Sequence, residues 1–136
     1  MRILTSLVPL ALSALIAAPA LAQQLMSAQD FDTYSKGKTF YYGSSGQPYG
    51  VEEYFGNRRV RWSFLDGQCQ DGHWYEDQGN ICFVYENSPD PQCWRFFRSP
   101  DGMTAQFKGE NGTTTELYQM KDAPEAMQCP GPEVGV

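Results

Sequence analysis

The chain has 136 residues, with 10 Lys+Arg against 16 Asp+Glu and a formal charge of −6. So acidic a balance argues against nucleic acid or an anionic membrane surface as partner. Aromatic residues make up 14% and there are 4 cysteines, which suits a small core of rings and a disulfide framework.

The N-terminus, "MRILTSLVPLALSALIAAPALAQQ", places one cation, Arg2, before a mostly apolar run from Ile3 to Ala18. Pro19 breaks the run, and Ala20-Leu21-Ala22 is the small-x-small pattern that signal peptidase cuts after. The run is short for a membrane span and no basic stop-transfer cluster follows it. Residues 1–22 read as a signal peptide cleaved between Ala22 and Gln23, which makes the protein exported, bacterial, and periplasmic or secreted. Position 23 is Gln, so no cysteine stands there for lipid attachment. The mature chain of 114 residues is one domain without a membrane span. Having lost Arg2, it carries 9 Lys+Arg against 16 Asp+Glu, a charge of −7.

Gln23 to Leu25 reads as a short leader, and "MSAQDFDTYSKGK" as one short helix. Ser27 can cap its N-terminus with Asp30 three residues on, a variant of the capping box. Phe31 and Tyr34 would face the core together, and Gly37 can take the left-handed conformation that ends the helix.

After Gly37 come short apolar-rich runs separated by turn residues: 39–43, 49–55, 60–65, 73–77, 81–86, 92–98, 103–107 and 113–120. Turn signals every ten residues or so predict antiparallel hairpins. Val60, Trp62 and Phe64 alternate with Arg59, Arg61 and Ser63, and Met103, Ala105 and Phe107 with Thr104 and Gln106, each giving one buried and one wet face. The expected fold is mainly β: a meander of about eight strands closed into a small barrel, the helix over one end. A two-sheet sandwich is the alternative. This domain spans 23–120, and the Pro- and Gly-rich residues 121–136 form an irregular tail.

In "GNICFVYENSPDPQCWRFF" two cysteines stand eleven apart. With a hairpin turn centred on Asn87-Ser88, opposed residues sum to 175, so Cys82 faces Cys93 within reach of a disulfide. Ile81, Phe83, Tyr85, Trp94 and Phe96 then share an apolar face. By elimination the second bond is Cys69–Cys129, tying the tail to the "DGQCQDG" turn. A metal site is disfavoured, because there is no C-x-x-C and His73 is the single histidine.

His73 lies near Asp71, Glu76 and Asp77, the one arrangement that suggests a general base, but a residue just after a turn is more simply an exposed polar side chain. No nucleophile elbow, Walker loop or zincin motif occurs. Glu52 and Glu53 are adjacent, so on a strand they point to opposite faces. The inward one is expected to pair with Arg58, Arg59 or Arg61. "NGT" at Asn111 reads as a turn. Trp62, Trp74 and Trp94, with Tyr41, Tyr42, Tyr49, Tyr54, Tyr75 and Tyr85, could line a sugar- or lipid-binding cavity. In so small a barrel the preferred reading is that they fill the core.

The segments "SKGKTFYY" and "GHWYEDQGNICFVYENSPDPQCWRFF" resemble a family of small exported alphaproteobacterial proteins that carry a "G-x-W … C-x-x-Y … C-W" pattern, a domain of unknown function. Gly72, Trp74, Cys82, Tyr85, Cys93 and Trp94 match it, and the similarity runs roughly from Ser27 to Gly102. It implies a small β-rich exported domain and no catalytic residue. Cys69, Cys129 and the tail look like additions to it.

The expected function is a non-enzymatic binding or interaction module, monomeric and without cofactor or metal. A cationic protein, an envelope component or a small apolar ligand are the partners left open. Two alternatives stand beside it. One is an inhibitor of a cationic cell-wall hydrolase such as lysozyme, from the acidic charge, export, the exposed acidic loops around Glu76-Asp77 and around Glu86 and Asp90, and the analogy with small disulfide-bonded barrels of that kind. The other is a small enzyme using His73. Export makes a direct prediction: mass spectrometry of the mature protein finds an N-terminus at Gln23, and a full-length chain in the membrane fraction would contradict it.

Overall fold

A computed structural model of the protein describes residues 23–123 and 125–129. The expected signal peptide, residues 1–22 ending at Ala22, lies outside them, as do residue 124 and residues 130–136. No helix among the described residues is long and apolar enough to cross a membrane.

The helix α1 (Ala28–Ser35) starts where the sequence caps it. Ser27 Oγ accepts from the Asp30 N–H at 3.1 Å, and Asp30 Oδ2 accepts from the Ser27 N–H at 3.3 Å. This reciprocal pair satisfies two N–H groups that have no partner within the helix. Gly37 ends the helix at φ +76° and donates its N–H to the Tyr54 carbonyl at 2.8 Å, which fixes the helix end to the sheet.

Nine strands occur among the described residues: β1 (Gln24–Leu25), β2 (Thr39–Ser44), β3 (Gln47–Tyr54), β4 (Arg59–Ser63), β5 (Gln70–Asp77), β6 (Asn80–Tyr85), β7 (Ser88–Ser99), β8 (Gly102–Lys108) and β9 (Thr114–Gln119). From β2 to β9 each strand pairs antiparallel with the next, and β9 pairs back onto β2. The result is a closed eight-stranded barrel, not a sandwich. The extra strand β1 continues the β6 side of β7 through Gln24↔Arg98 and Leu25↔Phe97. It covers an edge that β6 is too short to reach.

The pairing Ile81↔Trp94, Cys82↔Cys93, Phe83↔Gln92 is the expected one. The turn, however, is Glu86-Asn87, since Tyr85 faces Ser88, and an irregularity between Phe83 and Tyr85 absorbs the difference. "SPDP", expected as turn, belongs to β7. Residues 88–93 have no partner on the β8 side, so that edge is free and tolerates Pro89 and Pro91, which lack an N–H.

Both disulfides are present, Cys82–Cys93 and Cys69–Cys129. Chain entropy assigns about 2.7 kcal/mol to the shorter loop and about 4.3 kcal/mol to the longer. The second holds the tail against the outside of the barrel, where the Met127 N–H donates to the Tyr41 hydroxyl at 3.2 Å. Tyr41, Val51 and Ser63 are neighbours across β2, β3 and β4. Val51 and Ser63 lie on the outer face yet are buried. The tail meets this strip at Tyr41, and the β4–β5 loop meets it at Ser63, whose Oγ accepts from the Leu65 N–H.

Inside, Phe31 plugs one end. It is fully buried, with its ring 4.5–6.3 Å from the rings of Tyr54, Trp74, Phe83 and Phe96. Such a hub carries a large transfer and cavity cost when truncated. Phe31→Ala is expected to lower stability by about 3–5 kcal/mol in urea unfolding. A loss under about 1 kcal/mol would show that the plug does not hold the barrel.

Candidate functional site: a carboxyl inside the barrel

The alternation of β3 turns Gly50, Glu52 and Tyr54 inward, opposite the core residues Phe40, Trp62 and Val60. Glu52 is only 1% exposed. The Tyr85 hydroxyl, reaching across from β6, donates to its Oε1 at 3.0 Å. Its Oε2 is buried and has no hydrogen-bond partner among the described residues.

The expected inward Glu–Arg pair is therefore corrected. The ion pair that forms is the outward one, Glu53–Arg61 at 3.9 Å, between residues directly opposed on β3 and β4. Arg61 also donates through Nε to Asp71 Oδ1 at 2.7 Å. Arg59 and Arg61 alternate away from the inward Val60 and Trp62, and the Arg58 guanidinium sits 4.4 Å over the Trp74 ring. None of the three can reach Glu52, which has a phenol for partner instead.

Glu52 lines a cavity of about 250 Å³ at the end of the barrel away from α1. Tyr54, Phe83 and Phe96 form its floor, and the same rings meet Phe31 on their other side. Tyr42, Trp62, Tyr85 and Trp94 form the wall. At the rim Tyr49, Trp62 and Phe64 meet one another at 5.3–5.9 Å, beside the polar Gln70, Ser88 and Gln92. Phe64, expected to be buried with Val60 and Trp62, is 50% exposed. β4 ends at Ser63 and Leu65 turns to φ +62°, so Phe64 stands at the mouth. The expected aromatic core is present, with Tyr42, Tyr54, Trp62 and Trp74 buried in it and Tyr49, Tyr85 and Trp94 packed against it, and it leaves a cavity. Six of the nine Trp and Tyr residues singled out line the cavity, Trp74 lies under the plug, and Tyr41 and Tyr75 alternate to the outer face.

Two glycines make room for this wall. A Cβ at Gly50 would fall 2.3 Å from the Trp62 ring, and one at Gly72 would fall 2.4 Å from the Val84 carbonyl oxygen and 2.8 Å from the Tyr85 ring. Trp62 and Tyr85 can settle against the sheet only because those side chains are missing.

Burial pushes the Glu52 carboxyl well above the usual carboxylate range, and the bond from Tyr85 opposes this. Burial likewise raises the phenols of Tyr42, Tyr54 and Tyr85. The Tyr42 and Tyr54 hydroxyls are 2.7 Å apart. One donates to the other, so one proton of the pair stays unspent.

His73 is exposed on the outside of β5, opposite Arg59 and Val84. Asp71 serves Arg61, whose guanidinium holds its carboxyl below the usual range. Glu76 accepts from the Gly79 N–H in its own turn. Among the described residues none of these carboxylates hydrogen-bonds His73. Glu76 and Asp77 sit at one end of β6, and Glu86 and Asp90 at the other. The two acidic loops are thus separated by about 17 Å of strand and do not form one patch. Asn111 Oδ1 accepts from the Thr113 N–H and hydroxyl, the expected turn.

No protein-family model, no curated protein and no solved structure matches the chain. The residues of the "G-x-W … C-x-x-Y … C-W" pattern nevertheless have parts in this architecture. Gly72 seats Tyr85, Trp74 packs on the plug, Cys82 and Cys93 staple β6 to β7, Tyr85 holds Glu52, and Trp94 lines the wall.

Sequence reasoning missed Glu52 and Tyr85 as a pair. The phase of "YGVEEY" was available to it, because placing Tyr54 in the core places Glu52 there too. The titration of Glu52 gives a checkable sign. Its folded pKa is raised, so its contribution to stability is fully present below its ordinary pKa of 4.5 and is lost as pH climbs toward the folded value. Glu52→Gln removes that loss. Its denaturant midpoint relative to wild type is expected to be more favourable at pH 8 than at pH 4. An equal difference at both pH values would contradict the assignment.

Proposed function

We propose that the protein is an exported, non-enzymatic binding module whose barrel holds a small organic ligand in the cup between the Phe31 plug and the Tyr49–Phe64 rim. The observation that carries this reading is the unpartnered Glu52 oxygen in an aromatic-lined cavity. Buried polar atoms are normally satisfied, and ligand sites combine an apolar lining with a few such polar groups. An apolar cavity of ~150 Å³ holds a benzene molecule, so about 250 Å³ suits one ring with a short side chain. Two disulfides fit an oxidising compartment and hence a periplasmic or secreted protein.

The enzyme alternative has less support, since His73 is on the outside and Asp71 is occupied by Arg61. Inhibition of a cationic hydrolase draws on the acidic charge and on the analogy with small disulfide-bonded barrels, while the two acidic loops lie at opposite ends of β6 and do not form one patch. A panel of one-ring compounds titrated into the mature domain tests the cup through Trp fluorescence. Saturable change from Trp62 and Trp94 is expected. Ala105→Leu, which extends a buried lining residue into the cavity, is expected to weaken binding at least ~10-fold, about 1.4 kcal/mol, with the far-UV spectrum unchanged. No saturable response from folded protein would defeat the reading.

A further inference from the structure

The cavity is unequally charged. Among the described residues its lining holds one carboxyl, Glu52, and no Lys, Arg or His. Arg58 and Arg59 are exposed, and the Arg61 guanidinium is committed to Glu53 and Asp71. A buried acid without a counter-charge is expensive, and a barrel that needed only to be filled would be served better by a Leu or Gln at this position. Glu52 also lacks one particular thing. Oε1 accepts from the Tyr85 hydroxyl, whereas Oε2 has no hydrogen-bond partner among the described residues. Around it stand the rings of Tyr42, Trp62 and Tyr85, whose faces attract a cation.

We propose that the cup selects a protonated primary or secondary amine carried on a single ring, with its N–H donated to Glu52 Oε2 and its charge set against the aromatic wall. This rests on the reading of the barrel as a binding cup and names the class of ligand. A quaternary ammonium has the charge and no N–H, so it leaves Oε2 unsatisfied. A neutral alcohol brings a donor and no charge. The ammonium supplies both. Burial disfavours the charged form of the acid in the empty cup, so binding is coupled to its deprotonation: where the acid is protonated, Glu52–COOH and R–NH3+ give Glu52–COO− hydrogen-bonded to R–NH3+, and one proton leaves for the buffer. The O–H bond of the acid is the bond broken, and no oxidant or reductant takes part.

Calorimetry at pH 7 in phosphate and in Tris separates the outcomes. The probes are matched sets: benzylamine with benzyl alcohol, phenethylamine with 2-phenylethanol, and the trimethylammonium analogue of each amine. Wild type is expected to bind an amine at least ~10-fold tighter than its alcohol and its quaternary analogue. Up to one proton per ligand should be released, read from the difference between the two buffers. Glu52→Gln should lose that preference and the proton release while keeping the alcohol within ~3-fold. If Glu52→Gln does not fold, the matched sets in wild type decide alone, with Tyr85→Phe as the milder variant. Alcohol binding as tight as amine would overturn the amine assignment and leave the cup standing. Quaternary binding as tight as amine would reduce the role of Glu52 to charge and overturn the N–H bond. Binding of neither class would remove the cup itself.

Discussion

The barrel depends on a short seam. β2 and β9 share two register pairs, Tyr42↔Gln119 and Gly43↔Tyr118, with the Met120 N–H to the Tyr41 carbonyl at 2.7 Å beyond them. Two-pair contacts are weak by themselves, and an open edge here would leave the sheet uncurled and its interior wet. What surrounds the seam explains why it holds. Tyr118 packs over Gly43, where a Cβ would stand 2.6 Å from its ring. Tyr34 on α1 donates to Gln119 Oε1 at 2.8 Å. The tail, held by Cys69–Cys129, bonds to Tyr41 on the other side. Helix and tail therefore do the same work from opposite faces: each ties a distant segment to the strands that close the barrel.

Closure sets the interior. Eight strands enclose a space about as wide as one layer of side chains, or as one small ligand. Phe31 takes the lower part of that space and closes it. Above it Gly50 and Gly72 give Trp62 and Tyr85 a place to lie back against the wall. Burial there raises Glu52 and the phenols. The plug, the two glycines and the acid are thus parts of one arrangement, and the charged surface has little share in it. Outside, Glu53, Arg61 and Asp71 are each more than a third exposed and contribute little to stability.

Much of the fold was legible because it rests on local rules. Ser27 and Asp30 mark the helix start by chemistry that needs no partner beyond the first turn. The eight long strands announce themselves by runs of rings and β-branched residues between turns, and the cysteine register follows from hairpin symmetry. The failures occur where a non-local choice decides. β1 is two residues long and exists only because β7 outruns β6. Pro89 and Pro91 look like a turn and are tolerated in a strand because one edge there is free. Phe64 obeys the period of two up to the point where the chain leaves β4. Glu52 and Glu53 were known to face opposite ways, but which one is inside depends on the phase of the whole strand. Its partner Tyr85 comes from β6, three strands away. Whether rings fill a barrel or line it turns on where small residues let them lie back, and no composition shows that.

The acid at the centre also bears on why such a site would be kept at a cost to the empty protein. A group that is neutral when buried alone and charged when paired couples two equilibria, proton and ligand, at one oxygen. By linkage the two compete. A cationic ligand of the kind proposed would draw the proton off Glu52 and a falling pH would return it, so affinity for an amine would rise with pH for as long as the amine keeps its own proton. The stability lost by ionising Glu52 in the empty barrel would be recovered when a bound ammonium donated to Oε2, because a ligand that binds only the folded state stabilises it. On that reading the barrel would be least stable where its cup is most ready to be filled, the trade of stability for function expected of a preorganised site.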